Sequence, residues 1–163
     1  VSPTQLLAIE KSCLEWRYRI KSHPDRLCQV HGDFHPWNIL FQNDTDFGLL
    51  DRSRGEWGEA ADDVAALTIN YLFFSQINKS KDYRPFLKLF CTFWDTYLES
   101  THDEMILSVI APFYVWRVLV LASPLWYPDL TDSFREYLFH FIEKILDLPV
   151  FPYQSIEALL ERS

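Results

Sequence analysis

His31-Gly32-Asp33-Phe34-His35-Pro36-Trp37-Asn38, followed across a turn-rich stretch by Leu49-Leu50-Asp51, is the segment on which the fold turns. Ahead of it, Leu27-Cys28-Gln29-Val30 is short and β-leaning. Behind it, Ile39-Leu40-Phe41 and Phe47-Gly48-Leu49-Leu50 flank Gln42-Asn43-Asp44-Thr45-Asp46, and this spacing predicts a small hairpin, the one convincing sheet in the chain. Such a hairpin folds Asp51 back towards Asn38. Two carboxylates and an amide so arranged make a hard-oxygen site of the type Mg²⁺ prefers when bound phosphates supply the other ligands. Asp33 is then left to act on an incoming hydroxyl. The plainer alternative is that Asp33, Asn38 and Asp51 are only turn-forming polar residues at strand ends.

Working outward, Ser2-Pro3-Thr4-Gln5 places a capping Ser before a Pro at the first helical position, with Gln three residues on to close a capping box. Leu6, Ile9, Cys13, Trp16 and Ile20 then recur at spacings of three and four, giving a helix that ends before His23-Pro24-Asp25. From about Ala60 onward every segment has helical period. Helices are expected over Asp62–Phe74, Arg84–Leu98, Asp103–Leu121 with a break near Pro112, Thr131–Leu146 and Ser155–Glu161. The stripe Phe86, Leu89, Phe90, Phe93, Trp94 and Tyr97 has the spacing of a buried helix face, which outweighs reading it as a ligand box. No repeat, low-complexity tract or domain-dividing linker interrupts the chain, so 1–163 is expected to form a single domain, mostly α-helical with a small β-hairpin.

The composition agrees with a packed domain. Of 163 residues 48% are hydrophobic and 17% aromatic, more large apolar side chain than a disordered segment leaves in water. The formal charge of −8 and the lack of a basic run exclude a general nucleic-acid binder, whose affinity comes from Lys and Arg on phosphates. Cys13, Cys28 and Cys91 form no CxxC pair, so a reducing, cytoplasmic location without a disulfide framework is expected. Between Met105 and Pro128 the charge of Arg117 and two prolines break an apolar run that falls short of the roughly 20 residues of a membrane span. The N-terminus has no basic region followed by an apolar one, hence no signal peptide, and it starts on Val1, as if residue 1 were a cut.

The central segment resembles the aminoglycoside phosphotransferase family of small-molecule kinases, which includes choline-kinase-like and homoserine-kinase-like members. The family motif is HGDxHxxN, and this chain has HGDFHPWN. Asp51 matches the Asp that ends the family's next hairpin, and Gly58-Glu59-Ala60-Ala61-Asp62-Asp63-Val64-Ala65 matches its segment ending Asp-hydrophobic-Ala. These blocks lie within about residues 27 to 70, and the layout is that of a kinase catalytic loop, Asp-x-x-x-x-Asn, with a separate metal Asp. The resemblance implies a protein-kinase-like fold, represented by its C-terminal lobe alone. It implies transfer of the terminal phosphoryl group of ATP or GTP to a hydroxyl of a small acceptor. Asp33 would be the catalytic base, and Asn38 and Asp51 the Mg²⁺ ligands. His35 falls where protein kinases keep a phosphate-facing Lys, Asp63 where a structural carboxylate binds the loop backbone with Asp62 as its competitor, and His31 where a loop anchor belongs.

The 30 residues before His31 read as one helix and a loop, without a glycine-rich phosphate loop or a strand Lys. The missing N-terminal lobe is therefore expected in the same or another chain, and the isolated lobe is expected to be inactive or weak. Neither nucleic acid nor membrane is expected as a partner. The runner-up is a non-catalytic binding or regulatory module, and a third reading takes His31, Asp33 and His35 as ligands of a metal hydrolase. Arg52 and Arg54 could contact phosphate, or pair with acids such as Glu56 and Glu59. Asp95, Glu99, Asp103, Glu104 and Asp129 suit either a cationic acceptor or a solvated helix surface.

Overall fold

The computed structural model describes residues 2–52, 55–77 and 82–161. In chain order its elements are α1 (Pro3–Lys21), β1 (Leu27–Gln29), β2 (Ile39–Phe41), β3 (Phe47–Leu49), β4 (Trp57–Glu59), α2 (Ala60–Ile77), α3 (Arg84–Thr101), α4 (Ala111–Ala122), α5 (Asp132–Leu146) and α6 (Ile156–Leu160). The chain divides into two compact units, one of Asp25–Asp103 and one of Val1–Pro24 with Glu104–Ser163.

Among the described residues, every strand lies in the Asp25–Asp103 unit. β2 pairs antiparallel with β3, with Ile39 opposite Leu49 and Phe41 opposite Phe47, so the expected hairpin forms. Its turn is held by the Asn43 side-chain oxygen, which accepts from the backbone N–H groups of Thr45 and Asp46 at 3.0 and 2.8 Å. The expectation of a single small hairpin is corrected, because β1 also pairs antiparallel with β4, with Leu27 opposite Glu59 and Gln29 opposite Trp57. Trp57-Gly58-Glu59 has no apolar alternation and no tight turn linking it to β1; only the long-range pairing makes it a strand. Immediately after β4 the chain enters α2, which is buried along most of its length by Val64, Leu67, Ile69 and Leu72 and packs against α3. Phe90 and Trp94 of α3 are fully buried, whereas Phe93 and Tyr97 of the same stripe are only half-buried.

The second unit is wholly helical. Ser2 caps α1 by accepting from the Gln5 N–H at 3.1 Å, but the Gln5 side chain turns to the Glu143 carboxylate at 2.7 Å, so the capping box closes on one side only. The expected helix from Asp103 to Leu121 is split: Glu104–Ser108 forms a 3₁₀ segment and α4 starts at Ala111, with Pro112 in its first turn. Arg135 on α5 closes the C-terminal end of α4 by donating to the carbonyls of Ala122 and Tyr127 at 2.6 and 2.7 Å. Tyr114, Val118, Ile142 and Ile145 fill the space between α4 and α5. Among the described residues no helix is long and apolar enough to cross a membrane.

Candidate active site

The 30s segment forms a tight, mostly buried turn between β1 and β2. Gly32 sits at φ +83°, a left-handed conformation in which any other side chain is strained, and this reverses the chain just before Asp33. His31, Asp33 and Asn38 are 6, 8 and 9% exposed. Polar groups this deep require partners, and most of those partners are in the turn itself. Asp33 donates its N–H to His31 Nδ1 at 3.3 Å, while its carbonyl accepts from the His35 N–H at 2.9 Å and from the Asn38 side-chain amide at 3.0 Å. Because His31 Nδ1 accepts, the ring proton sits on Nε2, and that atom has no partner among the described residues. Pro36–Asn38 closes one 3₁₀ turn.

Asp63, in the first turn of α2, reaches back to this turn. Its two carboxylate oxygens accept from the backbone N–H groups of His31 and Gly32 at 2.6 and 2.8 Å. Such short bonds to an ionised group are about twice as strong as neutral ones. The Asp63 side chain therefore fixes the two residues that precede Asp33, and of the two adjacent acids Asp62 and Asp63 it is Asp63 that faces the loop. His35 points its Nε2 to within 3.8 Å of an Asp33 carboxylate oxygen, and its ring meets the exposed Trp37 edge-on at 5.9 Å.

The hairpin delivers Asp51. Leu50 N–H donates to the Asn38 carbonyl at 2.9 Å, adding one rung beyond the β2–β3 ladder and setting Asp51 one residue past Asn38's partner. Asp51 is exposed and left-handed, at φ +57°, a region Asp and Asn tolerate better than other side chains. The Asn38 amide nitrogen is committed to the Asp33 carbonyl, which leaves its Oδ1 as the side-chain atom a cation could meet. One amide oxygen and one carboxylate are the donor set a hard cation takes when phosphates and waters complete its shell, so these residues fit Mg²⁺. Among the described residues no group of three or more His, Cys, Asp and Glu is placed to hold a metal ion, and the His31, Asp33 and His35 ligand triad of the hydrolase reading is accordingly not assembled.

Residues 3–87, just over half of the sequence, match the family model described as the phosphotransferase enzyme family, APH. The chain belongs to that family. No curated protein and no solved structure gives a significant match. The phosphotransferase match corrects the expectation that the whole chain is the C-terminal lobe of such a fold. It occupies the N-terminal part of this chain, takes in all four strands and ends within α3, and α4, α5 and α6 lie beyond it. The fold is mixed α+β with further helices after residue 87, not a helical lobe bearing one hairpin. That expectation rested on the lack of a glycine-rich loop or strand Lys in the 30 residues before His31, with the later helices fitting such a lobe only in kind.

Two features of the phosphotransferase unit were not read from its sequence. Arg26 forms a half-buried cluster with Glu59 and Asp103, so Glu59 pairs with this distant cation and not with Arg52, and Asp103 is a paired acid. Arg54 lies outside the described residues. A cavity of about 520 Å³ opens between β1, α2 and α3, walled by Val30, His31, Phe34, Asp63, Phe93 and Tyr97. Asp33, His35, Asn38 and Asp51 do not line it, but Leu49 and Arg52, which flank the Asp51 end of the hairpin, do. Burial, with the Asp103 charge adding to it, pushes the Tyr97 phenol up to about 12. A raised phenol stabilises the fold below its unfolded pKa of about 10 and loses that contribution as the pH climbs from there to about 12. Following phenolate absorbance against pH is expected to show a late-titrating component, to which Tyr71, also raised by burial, contributes and which Tyr97→Phe diminishes; loss of amplitude near pH 10 instead would place the Tyr97 hydroxyl in solvent.

Proposed function

We propose that this chain carries the catalytic turn of a metal-dependent phosphotransferase that moves the terminal phosphoryl group of ATP or GTP to a hydroxyl of a small molecule. The observation that supports it is the hydrogen-bonded closure around Asp33: Asp63 below, Asn38 and His35 on its carbonyl, and Asp51 brought alongside by the hairpin. The proposal treats residues 1–163 as one functional domain.

In the reaction the acceptor hydroxyl oxygen forms a bond to the γ-phosphorus. The bond from that phosphorus to the bridging oxygen breaks, and the electron pair leaves with the nucleoside diphosphate. Asp33 orients the hydroxyl and takes its proton. His35, beside Asp33, faces the transferred group, as a weaker electrostatic partner than an ammonium would be. Asn38 Oδ1 and the Asp51 carboxylate would hold Mg²⁺, which would supply neutralisation of phosphate charge there. His31 anchors the turn and Asp63 supports it. Trp37, Leu40, Phe41, Phe47 and Leu50 leave exposed apolar surface along the turn and on both faces of the hairpin. This surface favours a further element over the nucleotide, in the same or another chain. Without such a cover the turn would serve weakly in catalysis or as a binding module.

Titrating the chain with ATP and with GTP, each with and without Mg²⁺, tests the reading by calorimetry. Mg²⁺-dependent nucleotide binding is expected. Its absence, in the chain alone and in any longer natural form, would overturn the proposal. Asp51→Asn keeps the side chain's size and its tolerance of the left-handed backbone while removing the charge, so it is the clean probe of the metal site. It is expected to weaken Mg-nucleotide binding by about tenfold, the scale of one lost charge-assisted ligand. Equal affinity in wild type and Asp51→Asn would take Asp51 out of the site.

A further inference from the structure

The catalytic turn is one side of a closed ring of chain, and its far corner is a half-buried charge cluster. Arg26 stands just before β1, with its side chain 10% exposed. Its guanidinium donates to Glu59 through Nε and Nη2 at 2.9 and 2.6 Å, and to Asp103 through Nη1 and Nη2 at 2.6 and 2.8 Å. Both carboxylates are thus gripped by two-pronged contacts, the geometry only a planar guanidinium offers. Glu59, 7% exposed, is the last residue of β4 and the one before α2.

From Arg26 the chain runs along β1 to His31; from Glu59 it runs through the first turn of α2 to Asp63. The two runs are joined at both ends, by the Arg26–Glu59 pair and by the Asp63 carboxylate on the His31 and Gly32 amides, while β4 leads back from Glu59 along β1. Asp63 is rigidly carried by α2, so the position of Glu59 against β1 sets where Asp63 presents its oxygens. The ladder is three residues long on each strand and gains one more rung, from the Val30 N–H to the Glu56 carbonyl at 3.0 Å, short enough that the ion pair at its Glu59 end helps to fix the register. Asp103, just past the C-terminal end of α3, draws that helix to the same guanidinium.

We propose that Arg26 is a positioning residue for the catalytic turn, acting through Glu59 and α2 to set the Asp63 contacts and so the placement of Asp33. The inference rests on the phosphotransferase reading for its purpose, but its geometry concerns only this chain's own residues.

The test is amide hydrogen exchange at His31 and Gly32, followed by NMR on the full chain at one pH. Three variants are compared: Arg26→Met, Arg26→Lys, and Phe90→Leu, which trims the fully buried core of α3 away from the ring. If Arg26 positions the turn, Arg26→Met speeds exchange at those two amides at least tenfold over Phe90→Leu when both are measured the same interval below their melting temperatures. Arg26→Lys, which keeps the charge but loses the fork, falls between. Exchange that rises equally in Arg26→Met and Phe90→Leu, or not at all in Arg26→Met, overturns the proposal. Should Arg26→Met not fold, Glu59→Gln, which keeps the shape and removes the charge, replaces it under the same criterion. The phosphotransferase reading fails separately, through absent Mg-nucleotide binding, whatever the exchange shows.

Discussion

Asp33→Asn is expected to cut phosphoryl transfer by about 10²–10⁴-fold, the usual contribution of a positioned general base, while Mg-nucleotide affinity stays within about twofold of wild type. The substitution changes one oxygen to an amide nitrogen and leaves the main chain of Asp33 alone. That main chain is what holds the turn: its N–H to His31 and its carbonyl to His35 and Asn38. The fold should therefore survive with Asn38 still aimed at the metal, and only the proton acceptor is lost. The binding and electrostatic contacts that remain leave residual rather than zero turnover. Single-turnover rates with saturating Mg-nucleotide, beside calorimetric affinities for the same samples, separate the two quantities. Wild-type rates in Asp33→Asn would remove it from proton transfer, and a matched loss of rate and affinity would make it a binding residue instead.

Asp63→Ala is expected to cost about 3 kcal/mol of stability and about 10 °C in melting temperature. Two charge-assisted hydrogen bonds, at 2.6 and 2.8 Å, disappear, and both N–H donors belong to buried residues of the turn. Some tenths of a kcal/mol more follow from removing one of the two acids at the N-terminal end of α2. Asp62→Ala removes the other acid from the same helix turn but leaves both bonds to the His31 and Gly32 amides in place. Thermal melts of Asp63→Ala decide the matter, and a loss under about 1 kcal/mol would reduce Asp63 to a dipole-facing surface acid.

How much of this was legible in the sequence depended on the range of the interactions. The β2–β3 hairpin was readable because its turn residues and flanking apolar runs are contiguous, and α1 because Ser2 and Pro3 announce its start. Asp33, Asn38 and Asp51 could be named from order and spacing alone, and the structure brings their segments together through the Asn38 carbonyl and Leu50. β4 was invisible, since Trp57-Gly58-Glu59 becomes a strand only by pairing with residues some thirty positions away. The same holds for Arg26: nothing local distinguishes it from other basic residues, and its partners stand 33 and 77 residues further on. The break expected near Pro112 falls just ahead of it, because a proline is accepted in the first turn of a helix and not in its interior.

Asp51 adopts a left-handed backbone that glycine and asparagine accept with ease and most residues do not. Position 51 is thus filtered twice, once by conformation and once by chemistry, and the two filters favour different letters. In a saturation library sorted only for folded protein, Gly and Asn should rise at this position along with Asp. Sorted for nucleotide capture, the same library should collapse onto Asp. The gap between the two enrichment profiles reads out, at one codon, how far the conformation of the loop has been bent to the needs of its ligand.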